Sequence, residues 1–116
     1  HIIKWNQSSI DIQRKILALF PNCYTLYKGK RIKISQSKIV NANDLMFELE
    51  QHMDLATYQP GRIVETSEAK EVYVKTADSF IKVIEAKIEG KNYCNSSQLY
   101  NSLMIKNNSF FYSDII

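Results

Sequence analysis

The strongest constraint on the fold is a pair of strand-like segments on either side of the Lys28-Gly29 dipeptide. Residues 24–27 (YTLY) precede it, and in residues 30–34 (KRIKI) the apolar side chains fall on one parity and two cations on the other. Successive side chains of a strand point to opposite faces, so the two isoleucines are expected to pack inward while the cations beside them point outward. Two such segments around a tight, glycine-containing turn predict a β-hairpin.

The second strand of this hairpin is expected to run to Val40. Ile34 and Ile39 lie on opposite parity within it. A bulge or bend within residues 35–37 is therefore needed if both isoleucines are to lie inside, and barrel walls commonly contain such bends.

The segment 28–38 is strongly basic and contains no acid. Its cations are Lys28, Lys30, Arg31, Lys33 and Lys38. Residues 1–40 hold eight Lys or Arg against one acid, whereas residues 41–116 hold seven against eleven, so the net charge of +3 conceals a basic end. This distribution allows two interpretations: a strand face kept solvated by charge, or a binding surface for a polyanion.

Helices are predicted on both sides of the strands. The first is expected over residues 10–20, after a Ser8 or Ser9 cap, with Asp11 in its first turn and Pro21 ending it. Its apolar positions are Ile12, Ile16 and Leu19, with Ile10 and Leu17 beside them, while Gln13, Arg14 and Lys15 point outward. Residues 95–103 predict a second, short helix that begins with a capping box over residues 95–98.

Further strands are predicted at residues 62–65, 71–75 and 79–89. In the last of these, Phe80, Ile84, Ala86 and Ile88 share one parity, and Ile81 and Val83 on the other indicate that part of the strand is covered on both faces. Residues 41–60 allow two interpretations: a short amphipathic helix containing Leu45, Met46, Leu49 and Met53, or a loop over the sheet. The apolar tail from residue 110 is expected to dock on the rest of the chain.

Together these segments predict a single, mainly β domain over residues 1–116. Its expected architecture is a small OB-like barrel of five to six strands with an N-terminal helix and a short C-terminal helix. An open α+β sheet with both helices on one face is the alternative.

No catalytic or metal-binding constellation is recognisable. The three glycines are isolated turn residues, and no serine stands in a nucleophile motif. Cys23 has no recognisable histidine partner and is expected to be a small core residue, and two distant cysteines predict no disulfide framework. The chain is therefore expected to be non-catalytic by itself, to lack a membrane span and to reside in a reducing cytoplasm. Because it begins with His, it is expected to be a fragment.

Several motifs, taken in order, resemble the C-terminal domain of methionyl-tRNA formyltransferases and related formyltransferases. Residues 3–8 (IKWNQS) are similar to its I-x-W-x-x-S start and residues 12–18 to its I-x-x-x-I-R-A helix. Residues 24–25 and 29–34 match its A-Y-T and G-K-x-L-K-I strands, residues 60–64 its P-G-x-V strand, and residues 89–103 its E-G-K-[KR]-x-x-S-x-x-x-x-L ending. The chain departs from the pattern at Leu17, where the family usually has Arg, and at residues 20–23, which replace a P-W-P-G corner.

The resemblance implies an OB-like barrel appended to a Rossmann-like N-terminal catalytic domain of the same protein. That domain would bind 10-formyltetrahydrofolate and carry an Asn/His/Asp catalytic set. The barrel would hold initiator methionyl-tRNA, a substrate of translation initiation, mostly through the tRNA backbone. The corresponding cations here are those of segment 28–38, extended by Arg14, Lys15, Arg62 and Lys91.

Two other functions stay open at this point. Amino-sugar N-formyltransferases carry related C-terminal domains, so the chain is alternatively a structural or dimerisation barrel of such an enzyme. A third interpretation is an independent OB-type binding module with no enzyme attached. Exposed tyrosines at positions 24, 27 or 73 would add base stacking, although buried barrel tyrosines are the preferred expectation.

Overall fold

The computed structural model describes residues 1–49, 55–65, 70–106 and 108–112, and it confirms a mainly β fold with an N-terminal and a C-terminal helix. The helices are α1 (Ser9–Ala18), α2 (Ala42–Leu49) and α3 (Ser96–Leu103), and Leu55–Thr57 form a 3-10 turn. The strands are β1 (Tyr24–Tyr27), β2 (Lys30–Val40), β3 (Tyr73–Lys75), β4 (Phe80–Ile88) and β5 (Tyr93–Asn95). None of the helices described is long and apolar enough to cross a membrane.

The strands form one antiparallel sheet in the order β1-β2-β4-β3, with β5 added beside the last part of β4. The predicted hairpin is confirmed: β1 and β2 pair directly across Lys28 and Gly29, which have φ of 48° and 81°. Positive φ at both central residues is the geometry of the two-residue turns that match the natural twist of a hairpin.

The predicted bulge lies where β2 crosses the middle of β4. The pairing passes from Ile34↔Ala86 to Gln36↔Glu85 and then to Ser37↔Val83, so β2 has one extra residue and β4 has another. The buried Ser35 hydroxyl donates to the Glu85 carbonyl (3.1 Å) and carboxylate (2.7 Å). These bonds anchor the bulge, because a buried hydroxyl requires a partner.

The bulges decide which side chains share a face. Ile39 pairs with Ile81 of the main core cluster, as the predicted bulge requires, although Ile39 itself is only half-buried. One predicted row was wrong: Phe80 packs with Val40 in a second cluster and not with Ala86 and Ile88, because the extra residue Ile84, itself half-buried, shifts the parity of β4. An extra residue moves every following side chain of its strand to the other face.

Single bridges continue the pairing beyond the two outer strands of the sheet. Ile63 pairs with Val74 of β3, Arg62 with Phe110, and Tyr112 with Leu26 of β1. The sheet is thus curled into a half-barrel whose open side is crossed by residues 61–64 and 110–112. The segment predicted as a strand over residues 62–65 is present only as these bridges.

The described part of the tail docks as expected. Phe111 is buried, with its ring centroid 5.9 Å from the rings of both Trp5 and Tyr27. The indole nitrogen of Trp5 donates to the Thr25 hydroxyl at 2.9 Å. Residues 113–116 lie outside the described part of the chain.

The predicted first helix is confirmed, with one correction to its apolar stripe. Ser8 caps α1 by accepting from the Asp11 backbone N–H (3.1 Å), and Ile12 and Ile16 enter the core. Ile10 and Leu17, expected beside them, are 52% and 71% exposed. The helix packs on β2 through a stripe narrower than the spacing suggests.

Residues 41–60 take the helical alternative in α2, whose Leu45 is fully buried. Met53, the last residue of the stripe predicted there, lies outside the described residues. The capping box of α3 is confirmed, since the Asn95 side chain accepts from Gln98 N–H and the Gln98 side chain accepts from Asn95 N–H, both at 2.9 Å.

Candidate nucleic-acid interface

The outer face of the β1–β2 hairpin presents the cations that the alternation predicts. Ile32 and Ile34 are buried, and Arg31 and Lys33 between and beside them are exposed. Lys28 and Lys30 are exposed at the turn. The hairpin therefore brings four of the predicted site residues to one end of the sheet, with Arg31 and Lys33 on the outer face and Lys30, which pairs with the buried Tyr27, on the opposite parity.

Two of these cations rest on tyrosine rings of β1. The Arg31 guanidinium carbon lies 4.6 Å from the centroid of Tyr24, and Lys28 Nζ lies 5.5 Å from that of Tyr27. Such contacts leave the charge accessible while restricting where the side chain points. Tyr27 and Tyr73 are buried and Tyr24 is half-buried, as expected for barrel tyrosines.

β4 adds a cation that the sequence reasoning missed, Lys87. It lies directly opposite Lys33, and Tyr93 of β5 lies directly opposite Lys87. Lys87 Nζ is 5.8 Å from the centroid of the Tyr93 ring. Tyr24 lies opposite Lys33 on the other side. One row across β1, β2, β4 and β5 on the outer face therefore consists of Tyr24, Lys33, Lys87 and Tyr93. The signal available in the sequence was the inward parity of Ala86 and Ile88, which points Lys87 outward.

Lys38 lies at the far end of β2, beyond the bulge. It pairs with Lys82, whose ammonium forms a salt bridge with Glu71. At about 3.3 Å per residue, Lys33 and Lys38 are separated by roughly 16 Å along the strand. The structure thus separates Lys38 from the hairpin cluster.

The four cations considered as extensions of this surface differ in position. Lys91 is exposed in the turn after β4, and its N–H bonds to the carbonyl of Ile88, which pairs with Ile32 beside Arg31. Arg14 and Lys15 are exposed on α1, and Lys15 Nζ donates to the Gln7 amide oxygen at 2.9 Å.

Arg62 is engaged within the fold itself. Its guanidinium stacks 4.0 Å from the Tyr58 ring centroid and lies 3.5 Å from a Glu65 oxygen, with its side chain only 24% exposed. Arg62 is therefore less available to an external anion than the hairpin cations are.

Two groups with shifted pKa values, Asp78 and Cys23, lie away from this surface and have structural partners. The N–H of Ser9, which donates to Asp78 at 3.0 Å, is the main cause that lowers the pKa of that carboxyl. Burial raises the pKa of the Cys23 thiol, which donates to the Lys15 carbonyl at 3.3 Å. A raised thiol pKa disfavours the thiolate, so Cys23 is the core residue that was expected. The described residues contain no group of three or more His, Cys, Asp or Glu side chains placed to hold a metal.

Comparison with known proteins shows the family to which the chain belongs. A family model described as formyl transferase, C-terminal domain, matches residues 1–104. The methionyl-tRNA formyltransferase of Prochlorococcus marinus strain MIT 9515 is 34% identical over 103 residues, which cover 89% of this chain and 31% of that protein. The enzyme of the same name from Synechococcus sp. strain CC9311 is 28% identical over 114 residues, covering 89% of this chain and 32% of its own length.

The chain thus spans about a third of the length of these relatives. Three observations point to the same family. They are the order of motifs from residue 3 to residue 103, the curled sheet with its two terminal helices, and the match over residues 1–104. On this evidence the chain belongs to the formyl transferase C-terminal domain family.

Proposed function

We propose that this chain is the tRNA-docking, non-catalytic C-terminal domain of a methionyl-tRNA formyltransferase-like enzyme. An N-terminal domain of the same protein, outside this chain, would transfer the formyl group from 10-formyltetrahydrofolate to initiator methionyl-tRNA in the cytoplasm. The observation that carries the proposal is the exposed outer face of the hairpin with Arg31 and Lys33, flanked at the turn by the exposed Lys28 and Lys30. The names of the relatives support tRNA as the polyanion.

The mechanism is electrostatic positioning of the tRNA backbone. Each Lys or Arg that neutralises a phosphate releases condensed counterions, which favours binding and makes it dependent on salt. Backbone contacts fix orientation and register without reading bases. The burial of Tyr27 and Tyr73 fits this mode, because neither ring is available for stacking.

A low-salt titration of the 116-residue chain with initiator tRNA tests the proposal. Wild-type protein is expected to bind, and the R31E/K33E variant is expected to lose binding, since two cations of the face become anions. The matched control is K70E/K106E, which makes the same change in net charge at two exposed lysines outside the hairpin. Absence of wild-type binding, or equal loss in the control, would overturn the proposal.

The second candidate is a dimerisation barrel of an amino-sugar N-formyltransferase. The exposed Ile10, Leu17 and Phe20 favour it, because apolar side chains on one helix and its exit suit a protein interface. This alternative expects a dimer in sedimentation equilibrium, indifferent to RNA. A monomer that binds tRNA excludes it.

A further inference from the structure

We infer that Lys33 and Lys87 bind one and the same phosphate group, in a site formed where β2 pairs with β4. The identity of the ligand as a tRNA phosphate rests on the proposed function. The anion site itself rests on the geometry of the sheet, and it adds Lys87 to a surface otherwise defined by the hairpin.

The first observation is the direct opposition of two lysines on the same face. In an antiparallel pair, side chains of directly opposite residues stand about 5 Å apart at Cβ, and like charges in that position are destabilising. Lys33 and Lys87 are such a pair. Within the described part of the chain, neither ammonium takes part in a salt bridge or a side-chain hydrogen bond.

The second lysine pair of these strands provides the contrast. Lys38 lies opposite Lys82 in the same ladder, and there Glu71 forms a salt bridge with Lys82. The fold therefore supplies an internal anion at one lysine pair and none at the other. An external anion between Lys33 and Lys87 would fill the corresponding place.

The acids nearest in sequence to Lys87 do not neutralise the pair. The Glu85 carboxylate accepts a 2.7 Å hydrogen bond from the Ser35 hydroxyl. Glu89 is exposed, its backbone N–H donates to the Arg31 carbonyl, and its carboxylate makes no salt bridge with any described residue. Among the described residues, neither carboxylate therefore forms an ion pair with Lys33 or Lys87.

A tyrosine ring restricts the position of one of the two ammonium groups. Lys87 Nζ lies 5.8 Å from the centroid of Tyr93, and on the other side of the pair Tyr24, opposite Lys33, contacts the Arg31 guanidinium at 4.6 Å. Two long, flexible lysine stems on adjacent strands can converge on one tetrahedral anion, since an ammonium binds phosphate as a compact point charge.

The first experiment needs no RNA. Pyrophosphate is titrated into the 15N-labelled 116-residue chain, and shifts are expected to centre on the amides of residues 33 and 87. Affinity should fall about tenfold in K33Q and in K87Q, as for loss of one charge-assisted hydrogen bond, and stay unchanged in K38Q. Circular dichroism verifies that each variant is folded. Shifts centred elsewhere, or an equal loss in K38Q, would overturn the site.

The second experiment counts phosphates. Each neutralised phosphate contributes about 0.9 to the slope of log K against log salt. If the two lysines share a phosphate, the slope of log K against log salt for tRNA binding should be shallower by about 0.9 in K33Q/K87Q than in wild type. A slope shallower by about 1.8 would show that each lysine contacts its own phosphate and would refute the shared site. Pyrophosphate binding without any tRNA binding would overturn the proposed function and leave the anion site standing.

Discussion

At Gly61 two backbones approach too closely for a side chain. Its φ is +93°, and a Cβ at this position would stand 2.7 Å from the Phe111 carbonyl oxygen. Gly61 also donates to the Lys75 carbonyl and accepts from Phe111 N–H, both at 2.8 Å. This residue therefore joins β3 to the tail segment on the open side of the half-barrel.

Gly61→Ala is expected to lower the free energy of unfolding by more than the cost of positive φ alone, which is about 1–2 kcal/mol. The additional cost comes from displacing the Phe111 carbonyl. Gly90→Ala is the matched control, because Gly90 has φ of +81° but no neighbouring atom within 4 Å of the place that a Cβ would occupy. Urea unfolding of both variants measures the difference, and equal destabilisation would contradict the close approach.

The burial of Lys75 is expected to make the free energy of unfolding depend on pH. It is buried in β3, where its ammonium donates to the Thr76 carbonyl, and burial lowers its pKa from 10.5, an effect that Asp78 partly opposes. Since the unfolded chain holds this proton to higher pH, the contribution of Lys75 to the free energy of unfolding rises as pH increases through its folded-state pKa towards 10.5.

Lys75→Met is therefore expected to stabilise the chain near pH 7 and to lose that advantage as the pH approaches about 10. Urea unfolding of wild type and variant across this range measures the difference in unfolding free energy. Lys106→Met, at an exposed lysine, serves as the control and should show no such trend. A pH-independent difference between Lys75→Met and wild type would show that desolvation of the ammonium is not the cause.

At the scale of elements, adjacent residues of α1 differ sharply in burial. Ile16 is fully buried and Leu17 is 71% exposed. Ile16→Ala should cost about 2–5 kcal/mol through the cavity it leaves, whereas Leu17→Ala should stay within about 0.5 kcal/mol. Thermal and urea unfolding compare them. Comparable losses would mean that the outer face of α1 is covered in solution, as the dimer alternative requires.

The elements that sequence predicted correctly depend on local chemistry. Lys28-Gly29 suits the positive φ of the hairpin turn, Ser8 caps α1, and Asn95 with Gln98 forms the capping box of α3. Each signal involves residues within a few positions of one another. The parity conflict between Ile34 and Ile39 located the bulge for the same reason.

The features that sequence did not predict depend on which strands meet. The three-residue strand β5 exists because the last part of β4 offers it an edge, and the 62–65 segment pairs only through single bridges. Lys87 joins the cation face because of the register between β2 and β4, which no local pattern encodes. The second bulge, at Ile84, places Phe80 on the face opposite to Ala86 and Ile88, with which its spacing had grouped it.

At the scale of the molecule, charge is distributed by strand rather than by domain half. The excess of Lys and Arg in residues 1–40 falls mainly on the hairpin and on α1, and β4 adds Lys87 beside Lys33 on the outer face of the sheet. Lys82 and Arg62 are instead paired with acids. The net charge of +3 thus includes a concentrated surface suited to orienting a polyanion.

The most direct test of this account is the salt dependence of initiator tRNA binding by the 116-residue chain. Binding measured between about 50 and 200 mM salt should give a slope of log K against log salt of about −3 or steeper, corresponding to at least three phosphates at about 0.9 each. Replacing hairpin cations by neutral residues should make this slope shallower by about 0.9 for each phosphate contact that is lost. A slope near zero, or no binding at the lowest salt, would contradict tRNA docking by this face.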